Sequence, residues 1–128
     1  MKQNSRPINV GIGDLLSFKW PITAISSITH RVAGVVLFIG VAFMLYALDL
    51  SLSSEQGFIS LKEMMVSPLG KLITWGMLSA LGYHFVAGIK HLLMDMGFGE
   101  TLEGAQFAAK TTLFFSAVLI ALAAIWVI

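Results

Sequence analysis

An all-α integral membrane protein with three transmembrane helices is the fold this sequence predicts, and three observations lead to it. Hydrophobic residues make up 57% of the 128 and charged residues only 12%, which leaves too little polar surface to solvate a soluble domain. The charges also fall in clumps, so that residues 32–48, 72–89 and 111–128 form uncharged runs of 17, 18 and 18 residues. At about 1.5 Å per helical residue such runs approach the roughly 30 Å hydrocarbon core of a bilayer. The third observation is His84, a titratable imidazole inside the second run. Ionisable groups are costly in hydrocarbon and mark functional sites or satisfied packing positions.

Taken in order, the elements follow from local signals. The segment before the first span resembles neither a signal nor a transit peptide, because its first apolar run begins about thirty residues in and it lacks Arg and Ser enrichment. Gly11-Ile-Gly13 and Gly97-Phe-Gly99 lack the strand, third glycine and helix of a dinucleotide fingerprint and read as turns. The first span is expected at roughly 25–50. Ser53 to Gln56 matches a capping box, followed by Phe58, Leu61 and Met65 at helical spacing, which predicts a short helix on the outer surface. Ser67-Pro68 has the chemistry of an N-cap and first helical position, opening a second span at roughly 69–96 that Gly97 ends. The third span is expected at 102–128, beginning near Thr101 with Glu103 and Lys110 still in water or headgroups. Without an internal repeat or a composition break, residues 1–128 read as a single domain.

Charge sets the orientation. Lys2, Arg6, Lys19 and Arg31 precede the first span, Lys90 and Lys110 separate the second from the third, and only Lys62 and Lys71 separate the first from the second. The positive-inside rule then places the N-terminus in the cytoplasm and the C-terminus outside, in a bacterial inner membrane. The chain has no cysteine, so it holds no iron–sulfur cluster of its own, no covalent haem and no disulfide. Net charge near zero and the absence of a basic stripe exclude nucleic acid as a partner.

In this topology the polar residues gather on one side of the membrane. Ser27, His30, Arg31 and Gly34 share a face at the entrance to the first span; His84 and His91, two turns apart, share a face in the inner part of the second. The stripe around His84 also carries Gly76, Ala80, Ala87 and Gly88. Small residues at this spacing make helix-packing surfaces, and they equally leave room for a flat macrocycle beside an imidazole. His84 on its own is therefore either a hydrogen-bonded packing residue or a metal ligand. Arg31 and Lys90 have the default role of interface anchors that snorkel, and His91 and Asp95 that of solvated helix-end groups. The hydroxyls, imidazole and guanidinium of Ser26, Ser27, Thr29, His30 and Arg31 exceed what an anchor needs, and suit a ligand whose carbonyl oxygens are hydrogen-bonded.

The segment Pro21-Ile-Thr-Ala-Ile-Ser-Ser27-Ile-Thr-His30-Arg31-Val-Ala-Gly34, with the early Arg6-Pro7, closely resembles the signature of the cytochrome b membrane-anchor subunits of succinate dehydrogenase, respiratory complex II. His84-Phe-Val-Ala-Gly88-Ile-Lys90-His91-Leu-Leu-Met-Asp95 resembles that family's second motif. Lys90 stands where the family commonly has Arg, and Ala33 where it commonly has Ser or Thr. The resemblance implies a haem b shared with a partner, with His84 as this chain's axial ligand. It implies a ubiquinone site lined by Ser27 and Arg31, and haem propionates near His30 and Arg31, with Lys90 and His91 also beside the haem. Asp95 is a weaker candidate for the same site. The implied partners are a second three-helix anchor subunit that supplies the other axial histidine, an iron–sulfur subunit, a flavoprotein subunit and membrane lipid; the chain itself is half of the helical bundle and is not catalytic for succinate on its own. His30 is expected nearer the surface than His84, so that no second ligand lies at His84's depth. The competing readings are a haem-free structural anchor, the anchor of a quinol:fumarate reductase, and a stand-alone cytochrome or transporter fragment.

Overall fold

The computed structural model describes residues 9–128, so Arg6-Pro7 and Lys2 lie outside the described residues. Five helices follow one another without a strand among the described residues: α1 (Ile12–Ser17), α2 (Ile22–Ser53), α3 (Glu55–Val66), α4 (Pro68–Asp95) and α5 (Leu102–Val127). α2, α4 and α5 have 32, 28 and 26 residues and are long and apolar enough to cross a membrane. At the helical rise they reach about 48, 42 and 39 Å, so each extends beyond the roughly 30 Å hydrocarbon core.

α1 replaces the turn expected at Gly11-Ile-Gly13. The Gly11 N–H donates to the Asp14 carboxylate at 2.9 Å, and the Phe18 N–H closes the last turn on the Asp14 carbonyl at 3.1 Å. Six residues are too few for hydrophobic periodicity to be visible, so a local carboxylate cap sets this helix. The short helix predicted after Ser53 exists as α3, but its cap is displaced by one residue. Ser54 accepts from the Gly57 N–H at 2.9 Å, while the Ser53 hydroxyl donates back to the Leu50 carbonyl at 2.8 Å. α2 runs three residues past the expected end at 50, which carries Ser53 into the helix. Ser67 and Thr101 cap α4 and α5, accepting from the Gly70 and Gly104 N–H groups at 3.1 Å each. Gly97 ends α4 with φ +92°, and the Phe98 and Gly97 N–H groups return to the Leu93 and Met94 carbonyls at 3.0 Å each. That is the paired bonding of a glycine helix stop.

The interhelical seams are made of small residues. Ser26, Ala33 and Gly40 of α2, Ala87 of α4, and Ala109, Thr112 and Ser116 of α5 are buried, and α4 packs against both neighbours. Without a hydrophobic drive between helices in lipid, close backbone approach is the main source of packing energy, and small side chains permit it. Met77 of α4 fills the notch at Gly40, and the Trp75 indole N–H donates to the Ile120 carbonyl across the α4–α5 seam at 3.0 Å. Large apolar side chains such as Phe38, Phe107, Ile125 and Trp126 point outward, which suits a surface covered by lipid and by other subunits.

Candidate functional site

α2 and α4 run antiparallel, and their register brings the start of α2 against the end of α4. The His30 and His84 rings stack with centroids 4.1 Å apart and planes within 15°, and His91 lies against His30 at 4.9 Å. His30 is therefore level with His84 and not nearer the surface. Hydropathy places a residue within its own run, whereas relative depth depends on how two helices are registered. The stacking nevertheless excludes His30 as the opposite ligand of one haem: rings in face contact leave no space for a macrocycle between them, and their nitrogens do not point at each other.

The orientation of His84 is well determined. Its Nδ1 lies 3.2 Å from the His30 carbonyl oxygen. A carbonyl only accepts, so Nδ1 donates and Nε2 is the nitrogen left to ligate. An N–H donated to a backbone carbonyl is the usual support that orients a metal-bound imidazole. Gly34 gives the ring its place, because a Cβ there would come within 3.1 Å of His84 Cε1. The His30 Nε2 is buried without a hydrogen-bond partner, an unmet polar group beside the ligand candidate. Among the described residues no group of three or more His, Cys, Asp or Glu is placed to hold a bare metal ion. One imidazole with a free nitrogen fits a metal carried by a macrocycle, with the rest of its coordination supplied from elsewhere.

Beside the histidines, Lys90 departs from the snorkelling role. It is 8% exposed, and its ammonium donates to the Ser26 hydroxyl at 2.8 Å, with Ser26 itself fully buried. The Tyr83 hydroxyl donates to the Ser26 carbonyl at 3.0 Å and also meets the Thr29 hydroxyl. Ser27 is half-buried, Arg31 is exposed one turn on, and His91 is half-buried; Asp95 is exposed as the last residue of α4. The structure thus brings His30, His84 and His91 together and puts Ser27 and Arg31 on the adjoining turn of α2, with Asp95 at the margin.

Sequence reasoning missed Tyr83 and gave Ser26 no specific partner. The signal was present: Tyr83, Ala87 and Lys90 lie at offsets of four and seven, as Ser26 and Ala33 do at seven, so each set shares a helix face. Ordinarily a tyrosine or lysine near a span end is taken as an interface anchor, which hides such a pairing.

A family model described as the succinate dehydrogenase/fumarate reductase transmembrane subunit matches residues 3–123. The succinate dehydrogenase cytochrome b556 subunit of Coxiella burnetii is 39% identical over 123 residues, covering 95% of this chain and 96% of that protein. That of Paracoccus denitrificans is 30% identical over 119 residues, covering 93% and 89%. The mitochondrial cytochrome b560 subunit of Sus scrofa is 34% identical over 87 residues, which are 66% of this chain and 52% of that protein. Full-length similarity joins the three apolar helices and the paired Ser-Ser-Ile-Thr-His-Arg and His-Phe-Val-Ala-Gly segments, and the chain belongs to the succinate dehydrogenase/fumarate reductase transmembrane subunit family, among its cytochrome b membrane anchors.

Proposed function

We propose that this chain is a haem b-binding anchor of a succinate:ubiquinone oxidoreductase in a bacterial inner membrane, oriented with its N-terminus in the cytoplasm, and that it helps form the ubiquinone-reduction site on that side. The observation that carries the proposal is His84 held through Nδ1 on the His30 carbonyl, with Nε2 left to bind. His84 would ligate the haem iron from this chain. His30, Arg31 and His91 would hold the propionates, with Lys90 engaged by Ser26 instead, and a second anchor subunit would supply another histidine. A bound haem b supplies a one-electron carrier at the level of the histidine cluster.

Ubiquinone reduction takes two electrons, delivered by an iron–sulfur partner that is itself fed by a flavoprotein, and two protons drawn from the cytoplasmic side. Ser27 donates a hydrogen bond to a quinone oxygen. The Arg31 guanidinium offsets the negative charge that develops there as electrons arrive, and in a low-dielectric site that electrostatic support lowers the barrier. Arg31 cannot lose its proton, so it contributes charge rather than protons. His30 lies within the cluster to pass a proton or to hold a propionate.

Ser27→Ala and Arg31→Ala in the purified complex test the assignment. Each is expected to lower succinate:ubiquinone reductase activity at least tenfold, the scale of losing one charge-stabilising donor, while succinate oxidation by an artificial dye that bypasses the quinone persists. Loss of both activities in an assembled complex overturns the quinone assignment. A reduced-minus-oxidised spectrum of the same complex carrying His84→Leu separates the haem anchor from a haem-free scaffold: the b-type absorbance disappears, and an unchanged spectrum overturns the ligand.

A further inference from the structure

Two side chains of α4 hold a single residue of α2, and that residue immediately precedes Ser27. Lys90 donates its ammonium to the Ser26 hydroxyl at 2.8 Å, and two turns earlier Tyr83 donates its hydroxyl to the Ser26 carbonyl at 3.0 Å. Thr29 joins from the next turn, with its hydroxyl against that of Tyr83. Ser26 is gripped from side chain and backbone at once.

Packing alone does not explain this arrangement. An ammonium withdrawn from water to 8% exposure carries a desolvation cost that a single hydroxyl only partly offsets, and an aliphatic side chain of similar length would fill the same seam without it. The hydrogen bond instead provides direction. It fixes the rotation of α2 about its own axis at the one turn where rotation matters. Successive helical residues are about 100° apart, and a side-chain tip lies about 6 Å from the axis, so a rotation of about 20° displaces the tips of Ser27 and Arg31 by about 2 Å. Hydrogen bonds hold over a window of about 0.5 Å in donor–acceptor distance, so a displacement of that size loosens the grip of both groups on the quinone.

We propose that Lys90 and Tyr83 are positioning residues for ubiquinone reduction, setting through Ser26 the rotation of the α2 turn that presents Ser27 and Arg31. This rests on the assignment of Ser27 and Arg31 to the quinone. Lys90 acts through Ser26 and not by touching the quinone.

Steady-state kinetics of the purified complex with a short-chain ubiquinone tests the assignment, using Ser26→Ala, Tyr83→Phe, Lys90→Met and the double variant Ser26→Ala/Lys90→Met. Ser26→Ala and Lys90→Met are each expected to raise the KM for ubiquinone about tenfold, with a smaller change in kcat, as loss of one charge-assisted hydrogen bond predicts. Tyr83→Phe moves KM in the same direction by a few-fold. The double variant matches the worse single variant, because both changes break one link. Single effects that multiply in the double variant overturn the proposal, since Lys90 then acts on the quinone or haem separately. Unchanged KM in Ser26→Ala and Tyr83→Phe, alongside impaired Ser27→Ala and Arg31→Ala, overturns positioning while the quinone site stands. Fully active Ser27→Ala and Arg31→Ala remove the quinone site and the positioning role with it. If Lys90→Met fails to assemble, Ser26→Ala and Tyr83→Phe decide the matter alone, because each deletes only an oxygen and leaves Lys90 in place.

Discussion

Gly34 governs how the His84 ring lies. A Cβ there would stand 3.1 Å from the ring's Cε1, closer than carbon atoms pack comfortably, whereas a Cβ at Gly88 would meet His30 Nε2 at an ordinary 3.6 Å. The two glycines flank the same histidine pair and differ in tolerance. Gly34→Val is expected to turn His84 off the His30 carbonyl and to lower the b-type absorbance of the purified complex several-fold. Gly88→Ala leaves that absorbance near the wild-type level. Equal spectra for the two variants would mean that the ring is not seated by Gly34. The His30 imidazole next to it illustrates a wider point about single residues: its place was legible as a helix face, and its stacking on His84 was not.

Individual helices owe their ends to single hydroxyls. Ser54, Ser67 and Thr101 each accept from the backbone N–H three residues ahead and so open α3, α4 and α5. The adjacent pair Ser53-Ser54 separates capping from mere composition. Ser54→Ala removes the α3 cap and is expected to cost about 1 kcal/mol. Ser53→Ala, which loses only a bond back to the Leu50 carbonyl, stays within about 0.5 kcal/mol. Thermal unfolding of the complex in detergent, read as the shift in midpoint, checks the order; a larger shift for Ser53→Ala would return the cap to Ser53. The capping-box pattern in the sequence fits Ser53, and α2, which runs through Ser53, passes the cap to Ser54.

For the whole molecule, the arrangement of three long helices puts every candidate side chain at one end, where the start of α2 meets the close of α4. A cysteine-free chain allows this to be tested by single-cysteine labelling with a membrane-impermeant maleimide. Glu100→Cys, in the α4–α5 turn, is expected to react from the cytoplasmic side, and Gln56→Cys, in the first turn of α3, from the opposite side. The reverse pattern would put the quinone site outside and overturn the proposed orientation. The outward-facing Phe38, Phe107, Ile125 and Trp126 and the scarcity of buried residues within the spans mean that most of the chain's stabilising contacts are made with lipid and with other subunits, as expected of half a bundle.

Short-range signals suffice for the three long apolar helices, the cap at Ser67, the start of the third near Thr101, the glycine stop at Gly97 and the shared face of His84 and His91. Each depends on hydropathy runs, helical periodicity or local backbone chemistry, which act over a few residues. That His30 lies level with His84, and that Lys90 turns inward to Ser26 with Tyr83 on the same residue's carbonyl, emerges only once the helices are packed. Those outcomes depend on the register and rotation of α2 against α4. Small residues scattered over both helices set these jointly, and no single stretch of sequence contains them.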